Sequence, residues 1–222
     1  MESVMIKIER LSCGYGDEVV IKNFSALFEK GKISGLTGRS GCGKSTVLKA
    51  INRLHEAENS GFFCEGAIEI KTKRLCGDVF GLDPVNLRRC VGYVFQSPVP
   101  LPMSIEKNVS FALDIAGKRD SEAIRRALEA VSLWDEVKYR LNKKASDLSL
   151  GQQQRLAIAR VLVMEPEIIL FDEPTSSLDE VAARKVEAAI EHLKNERTIV
   201  LVSHDKDQID RICDKVVQIP SK

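Results

Sequence analysis

Gly38-Arg39-Ser40-Gly41-Cys42-Gly43-Lys44-Ser45 is the stretch that decides how this chain is read. It fits GxxxxGK[ST] completely, between an apolar run, Lys32 to Thr37, that reads as a strand and a helical stretch beginning near Lys44. Glycines let such a loop curl so that successive N–H groups point inward at phosphate oxygens. The helix start adds partial positive charge. Lys44 supplies a full charge to the outer phosphates, and the Ser45 hydroxyl can bind Mg²⁺. Taken alone, this motif means a nucleotide-binding α/β unit and no more.

Outward from the loop, strands are expected at Val4 to Leu11 and Val19 to Glu29, separated by a turn at Gly14-Tyr15-Gly16-Asp17. Further strands read at Ala67 to Lys71, Val91 to Phe95, Ile168 to Phe171, Thr198 to Ser203 and Lys215 to Ile219. Pro98, Pro100 and Pro102 forbid regular structure where they stand. Ser104 to about Arg140 reads as helices with Ser104 and Asp120 as N-caps, and Ser149 caps Leu150 to Met164. Helices are also expected from Glu180 to about Asn195 and near Asp205 to Ile212. Short apolar strands alternating with amphipathic helices imply a mostly parallel sheet covered on both faces. The helix-rich middle interrupts that alternation as an inserted subdomain.

Glu167-Ile168-Ile169-Leu170-Phe171-Asp172-Glu173 is an apolar strand ending in two carboxylates. Neighbours on a strand point apart, so Asp172 suits a Mg²⁺ shell, through water, while Glu173 suits the attacking water. A carboxylate so placed orients and deprotonates water, typically worth ~10²–10⁴-fold. The plainer alternative has Glu173 capping the turn at Pro174.

Composition narrows the class. The 222 residues are 44% hydrophobic and 29% charged, which suits a globular unit with a sizeable core. A net charge of +1 and 5% aromatics argue against a nucleic-acid surface. The opening Met1-Glu2-Ser3-Val4 has no signal-peptide pattern, and no apolar run approaches ~18 residues, so any membrane role is expected through partners. Six cysteines lack zinc spacing and are expected reduced in the cytoplasm. Cys42, inside the phosphate loop, reads as a small residue that fits rather than a redox group. His55 and His192, in charged helical surroundings, are expected to be solvated.

Leu148-Ser149-Leu150-Gly151-Gln152, followed by Gln153-Gln154-Arg155, resembles the LSGGQ signature of ABC ATPases. Phosphate loop, signature, acidic strand, Ser176-Ser177-Leu178-Asp179 and His204 stand in that family's order, and the resemblance covers essentially the whole chain. It implies an α/β fold with a RecA-like P-loop NTPase core, an antiparallel β-subdomain and an inserted α-helical subdomain. One ABC ATPase domain, 1–222, would comprise a core of 1–95 and 160–222 and a helical subdomain of about 96–159. ATP would be held by Gly38 to Ser45 together with Thr46, with Tyr15 stacked on adenine and Val20 beside it; Tyr15 could instead be a surface turn tyrosine. The metal set would be Ser45, Gln96 and Asp172, and the catalytic set Glu173, His204 and Gln96. Ser149, Gly151 and Gln152 would complete the site of a second copy, because the helix they open has a positive N-terminal end and lies far from its own phosphate loop. Ser177 and Asp179 would reach across that interface, Asp179 also capping the next helix. A head-to-tail homodimer with two-fold symmetry follows. Leu150 departs from the pattern, and a positive φ there would strain it.

Within the family the resemblance points to the ATPase of the bacterial phosphate importer. It rests on Ile51-Asn52-Arg53-Leu54, on Leu87 to Gln96, on Pro98-Val99-Pro100-Leu101-Pro102-Met103-Ser104-Ile105 and on Leu133-Trp134-Asp135-Glu136-Val137. The expected role is a translocase subunit on the inner face of the cell membrane, meeting permease subunits through Ser97 to Ile105. There Val99, Leu101, Met103 and Ile105 would offer apolar contacts. The chain stops soon after Ile219, earlier than that group usually does. Alternatives are an ATPase of another importer or exporter, or a soluble ABC ATPase of repair, chromosome structure or translation. Those carry coiled coils, zinc modules or a second cassette that 222 residues with one phosphate loop do not accommodate. A P-loop kinase or GTPase lacks the signature, and a non-enzymatic binding module has no use for Glu173 and His204.

Overall fold

Every buried strand of the central sheet divides its side chains between two cores, and that division sets the architecture. In the computed structural model, which describes residues 4–58, 61–118, 120–194 and 196–220, the elements run as follows. β1 (Val4–Tyr15) and β2 (Glu18–Glu29) form a hairpin, then come β3 (Ile33–Thr37) and α1 (Lys44–Asn52). β4 (Phe62–Lys71), β5 (Cys76–Asp78), α2 (Pro84–Cys90) and β6 (Val91–Val94) follow. Next are α3 (Ile105–Ile115), α4 (Ser121–Ala130), α5 (Trp134–Val137) and α6 (Leu150–Leu162). The chain closes with β7 (Ile168–Asp172), α7 (Glu180–Leu193), β8 (Thr198–Val202), α8 (Lys206–Ile212) and β9 (Lys215–Gln218).

Among the described residues two sheets form. One is antiparallel, ordered β2-β1-β4-β5; the other is parallel, ordered β6-β7-β8-β3-β9. Side chains alternate along a strand. Ile169, Phe171, Ile199 and Leu201 therefore enter one core with Val109, Leu128, Leu156, Ile190 and Ile209 of the helices. Ile168, Leu170, Val200 and Val202 enter the other with Val47, Leu48 and Ile51 of α1 and with Ile6 and Phe28 of the antiparallel sheet. Covering both faces explains why these strands are apolar throughout rather than alternating.

Several expectations shift. β1 continues through Gly14 and Tyr15, so the hairpin turn is Gly16-Asp17. β4 starts earlier, at Phe62, and β5 and α2 were not expected; Asp83 caps α2, accepting from Asn86 N at 2.9 Å. β6 ends at Val94 and leaves Phe95 exposed, while β8 and β9 end at Val202 and Gln218. The α6 helix stops at Leu162 rather than Met164, and the border expected at 159/160 falls inside it. The end expected for α7 at Asn195, like the opening Met1-Glu2-Ser3, lies outside the described residues. Ser104, Asp120 and Ser149 cap their helices as expected. His55 corrects its expectation: it is 5% exposed, its ring packed on Phe62 at 3.6 Å between centroids, and burial pushes its pKa down. His192 is exposed. All six cysteines are free thiols, Cys13 facing Cys64 across β1 and β4.

Candidate functional site

Because β6, β7, β8 and β3 are adjacent and parallel, the segments that leave their C-terminal ends meet along one edge. Gln96 follows β6, Asp172 and Glu173 end β7, His204 follows β8, and the phosphate loop follows β3. Crevices at the carboxyl edge of such sheets are where open α/β proteins hold ligands.

The phosphate loop wraps the start of α1. Gly43 caps that helix with φ 95°, and a Cβ there would lie 2.8 Å from Val20 Cγ1 and 2.6 Å from Ile21 Cδ1. Only glycine satisfies both constraints. The same contacts seat the β1–β2 hairpin, and Val20 with it, against the loop. Tyr15, at the end of β1, meets Phe62 edge-on with centroids 5.5 Å apart. Buried Lys44 sends Nζ back into the curl, donating to the carbonyls of Gly38 and Arg39 at 3.1 and 3.2 Å. Arg39, Ser40 and Gly41 are exposed, Cys42 is half-buried and Thr46 is buried in α1.

The two carboxylates diverge as the strand alternation predicts. Asp172 accepts from Ser45 Oγ at 2.9 Å on Oδ1 and from Tyr93 OH at 2.8 Å on Oδ2. Burial, then the Asp172 charge, pushes the Tyr93 pKa up, so its hydroxyl stays protonated and donates. Glu173 turns away. Its carboxylate accepts from Gln96 Nε2 at 3.4 Å and lies 2.5 Å from His204 Nε2. It is 14% exposed against 51% for His204, so the pair is open on the histidine side. Glu173 also has φ 48°, unusual for a residue with a side chain, and its N–H bonds Val202 O at 3.0 Å. Backbone held in that region clusters at functional sites. Gln96 further donates to Ser176 Oγ at 3.1 Å.

At the signature, Ser149 and Gln152 form a capping box: Gln152 N donates to Ser149 Oγ at 3.4 Å and Ser149 N to Gln152 Oε1 at 3.0 Å. Gln152 Nε2 donates to Glu136 at 2.7 Å, so both ends of its amide are engaged within its own chain. Burial pushes Glu136 up, but hydrogen bonds from Gln152 and Arg155 with the nearby charges of Arg155 and Lys185 outweigh it and hold it below the usual carboxylate range. Leu150 opens α6 without a positive φ and is 43% exposed, so the strain considered for it does not arise. A Cβ on Gly151 would lie 2.7 Å from Ala182 Cβ, which makes this glycine a point of close approach between α6 and α7. Asp179 caps α7, accepting from Ala182 N at 2.9 Å, and Ser177 is exposed beside it.

Beside the edge, Phe95, Val99, Leu101 and Phe111 line a cleft of about 750 Å³ that reaches Ser45 and Asp172. The proline stretch there divides: Val99 is exposed, Leu101 and Met103 are half-buried, and Ile105 is 1% exposed. Ile105 therefore packs into the core instead of offering an outward contact. Sequence reading missed Asn108, whose buried amide holds Leu101 N at 2.8 Å and the carbonyls of Leu101 and Ser104 at 3.2 and 2.9 Å. It assigned no role to Tyr93 or Ser176. Tyr93 carried one signal, a lone hydroxyl in an apolar strand. No helix among the described residues is long and apolar enough to cross a membrane.

Comparison with known proteins agrees with this geometry. The ABC transporter family model matches residues 21–176. "Phosphate import ATP-binding protein PstB" of Thermotoga maritima is 44% identical over 218 residues, covering 96% of this chain and 85% of that protein. "Phosphate import ATP-binding protein PstB 3" of Natronomonas pharaonis is 43% identical over 215 residues, covering 96% and 77%. A bacterial Atm1-family ABC exporter solved with ATP bound shares the fold at TM-score 0.81 and 24% identity, across 99% of this chain, which spans 37% of the exporter chain. With the phosphate loop, signature and acidic strand in order on that fold, this chain belongs to the ABC transporter family.

Proposed function

We propose that this chain is the ATP-hydrolysing subunit of a phosphate importer, a single ABC ATPase domain that works as a head-to-tail homodimer on the cytoplasmic face of the membrane. The observation that carries the reading is Glu173, held between Gln96 and His204 at the sheet edge that also brings Ser45 to Asp172. The phosphate relatives, 42–44% identical over nearly the whole chain, support the transported ion.

The phosphate loop would bind the nucleotide's phosphates through its backbone N–H groups, with the Lys44 charge moving from its own carbonyls to the outer phosphates. Tyr15 would stack on the base beside Val20. Ser45 Oγ and Asp172, hard oxygen donors 2.9 Å apart, fit Mg²⁺, which takes few protein ligands and shares its shell with phosphates and water. Gln96 would join them, and the ion would neutralise charge on the phosphate oxygens when bound. Glu173 would orient the attacking water and accept its proton, and His204 would hold the γ-phosphate and, through its contact, the direction of the Glu173 carboxylate. Ser149 and the start of α6 would meet the γ-phosphate of the other copy, with Gly151, Gln152, Ser177 and Asp179 around it. The helical part, about 96–159, would transmit closure to a permease through the Phe95–Leu101 cleft.

Two measurements test this. Mg²⁺-dependent ATP turnover by the purified chain should fall roughly 10²–10³-fold in Lys44→Ala, as when a charge-stabilising donor is removed; unchanged turnover would refute the phosphate-loop role. Leu101→Asp should keep folding and basal turnover yet abolish ATP-driven phosphate uptake by cells. Folded Leu101→Asp that still supports uptake removes the docking proposal.

A further inference from the structure

Behind the Glu173–His204 contact lies a buried polar cluster that belongs to none of the motifs. Glu187, on α7, is 5% exposed, and three side chains donate to its carboxylate. Gln208 Nε2 and Arg211 donate to Oε1 at 3.1 and 2.9 Å, and Arg184 donates to Oε2 at 3.2 Å. The same Nε2 of Gln208 donates to Thr175 Oγ1 at 2.8 Å. Gln208 is 1% exposed, and its Oε1 has no hydrogen-bond partner. A buried amide oxygen left without a donor costs free energy, so something must hold the amide in that orientation.

A carboxylate accepts and never donates, so it fixes which end of the Gln208 amide faces it. With the NH₂ drawn toward Glu187, its second hydrogen reaches Thr175. Those two partners belong to the segments that matter. Thr175 stands two residues after Glu173, in the turn where Ser176 N and Oγ bond back to Glu173 O. Gln208 stands in the first turn of α8, where its N–H bonds Asp205, the residue after His204. The Gln208–Thr175 bond therefore ties the turn carrying His204 to the turn carrying Glu173.

We infer that Glu187 is a positioning residue for the Glu173–His204 pair, acting by orienting the Gln208 amide that joins their two turns. This rests on the proposed role of Glu173 and His204 in hydrolysis, and it adds a buried residue outside the catalytic set. Without the carboxylate the amide is free to turn over, its NH₂ leaves Thr175, and the two turns lose this side-chain bond between them. The catalytic carboxylate and the imidazole are then held together less firmly, and displacement of about 1 Å in such groups can cost up to ~10²-fold in rate.

The experiment compares wild type with Glu187→Ala, Glu187→Gln, Thr175→Val and the Glu187→Ala/Thr175→Val double variant. Steady-state ATP turnover is measured per folded molecule, with the folded fraction taken from thermal unfolding. Glu187→Ala and Thr175→Val should each lower kcat about ten-fold, with KM for ATP within about two-fold, because the phosphate loop is untouched. The double variant should be no worse than the poorer single, since both cut one link. Glu187→Gln, which keeps the shape but can present an NH₂ of its own, should fall between and carries the test if the alanine variant does not fold. Unchanged kcat per folded molecule, a change confined to KM, or multiplicative losses in the double variant would overturn the inference. Hydrogen exchange of the Gln208 side-chain amide, read by NMR, separates it from the reading beneath it. Slow exchange in wild type and fast exchange in Glu187→Gln support the orientation even in a chain that hydrolyses no ATP, and equal exchange in both overturns it.

Discussion

At the carboxyl edge of the parallel sheet, polar groups meet across long stretches of chain. Ser45 bonds Asp172 over 127 positions, Tyr93 bonds Asp172 over 79 and Gln96 reaches Glu173 over 77. Around the start of α6 the polar contacts are local. Ser149 and Gln152 bond each other three residues apart, and Gln152 and Arg155 reach Glu136 over 16 and 19 positions. The first region exists only when the sheet is assembled in its order. The second is held by its own cap and nearest helices, and it turns Leu150 and, from α7, Val181 outward. The difference teaches where each region is vulnerable: strand order at the sheet edge, the local cap and helix packing at the signature.

The strongest way to break that contrast is Glu173→Gln. The amide takes no proton from water, so hydrolysis should fall ~10²–10⁴-fold while ATP binding persists. Bound ATP that is not consumed should then favour a dimer by linkage, seen in size-exclusion chromatography with ATP. A variant that turns over normally, or one that stays monomeric with ATP at high protein concentration, breaks the assignment of chemistry to the edge and of the signature to a second copy.

Gly151→Ala probes the other region through packing. Its new Cβ would stand 2.7 Å from Ala182 Cβ, so α6 and α7 must separate. Overpacking of this kind costs about 1–3 kcal/mol, which denaturant unfolding will read. Stability equal to wild type would show that the helices part without cost.

The smallest effect is expected from Leu150→Gly. Leu150 is partly exposed and sits at the first helical position, so the substitution should cost at most about 1 kcal/mol in unfolding assays. ATP turnover should stay within about two-fold of wild type. A large loss would mean that the outward leucine makes a contact essential to the assembled site.

Local chemistry is what the amino-acid order carries best. GxxxxGK[ST] needs no partner to be recognised, nor does a serine three residues before a glutamine at a helix start, nor an apolar run ending in Asp-Glu. The phosphate loop, the α6 cap and the divergence of Asp172 from Glu173 were legible for that reason. His55 was misread because its charged neighbours Arg53 and Glu56 describe the chain, whereas its burial is decided by Phe62 on β4. Ile105 was misread in the same way: a proline-rich neighbourhood suggests a surface, but the helix it opens turns it into the core.

By itself, then, the sequence determined the nucleotide-binding loop, the acidic strand, the caps and the family, because each is a short pattern whose physics is complete within a few residues. The sheet order β6-β7-β8-β3-β9 was decided only in three dimensions. It places Gln96, Glu173, His204 and Ser45 on one edge, gives Asp172 its Tyr93 donor, and sets Glu187 behind the Glu173–His204 pair through Gln208. Such contacts join residues tens of positions apart, and their existence depends on which strands lie side by side, which no local pattern encodes.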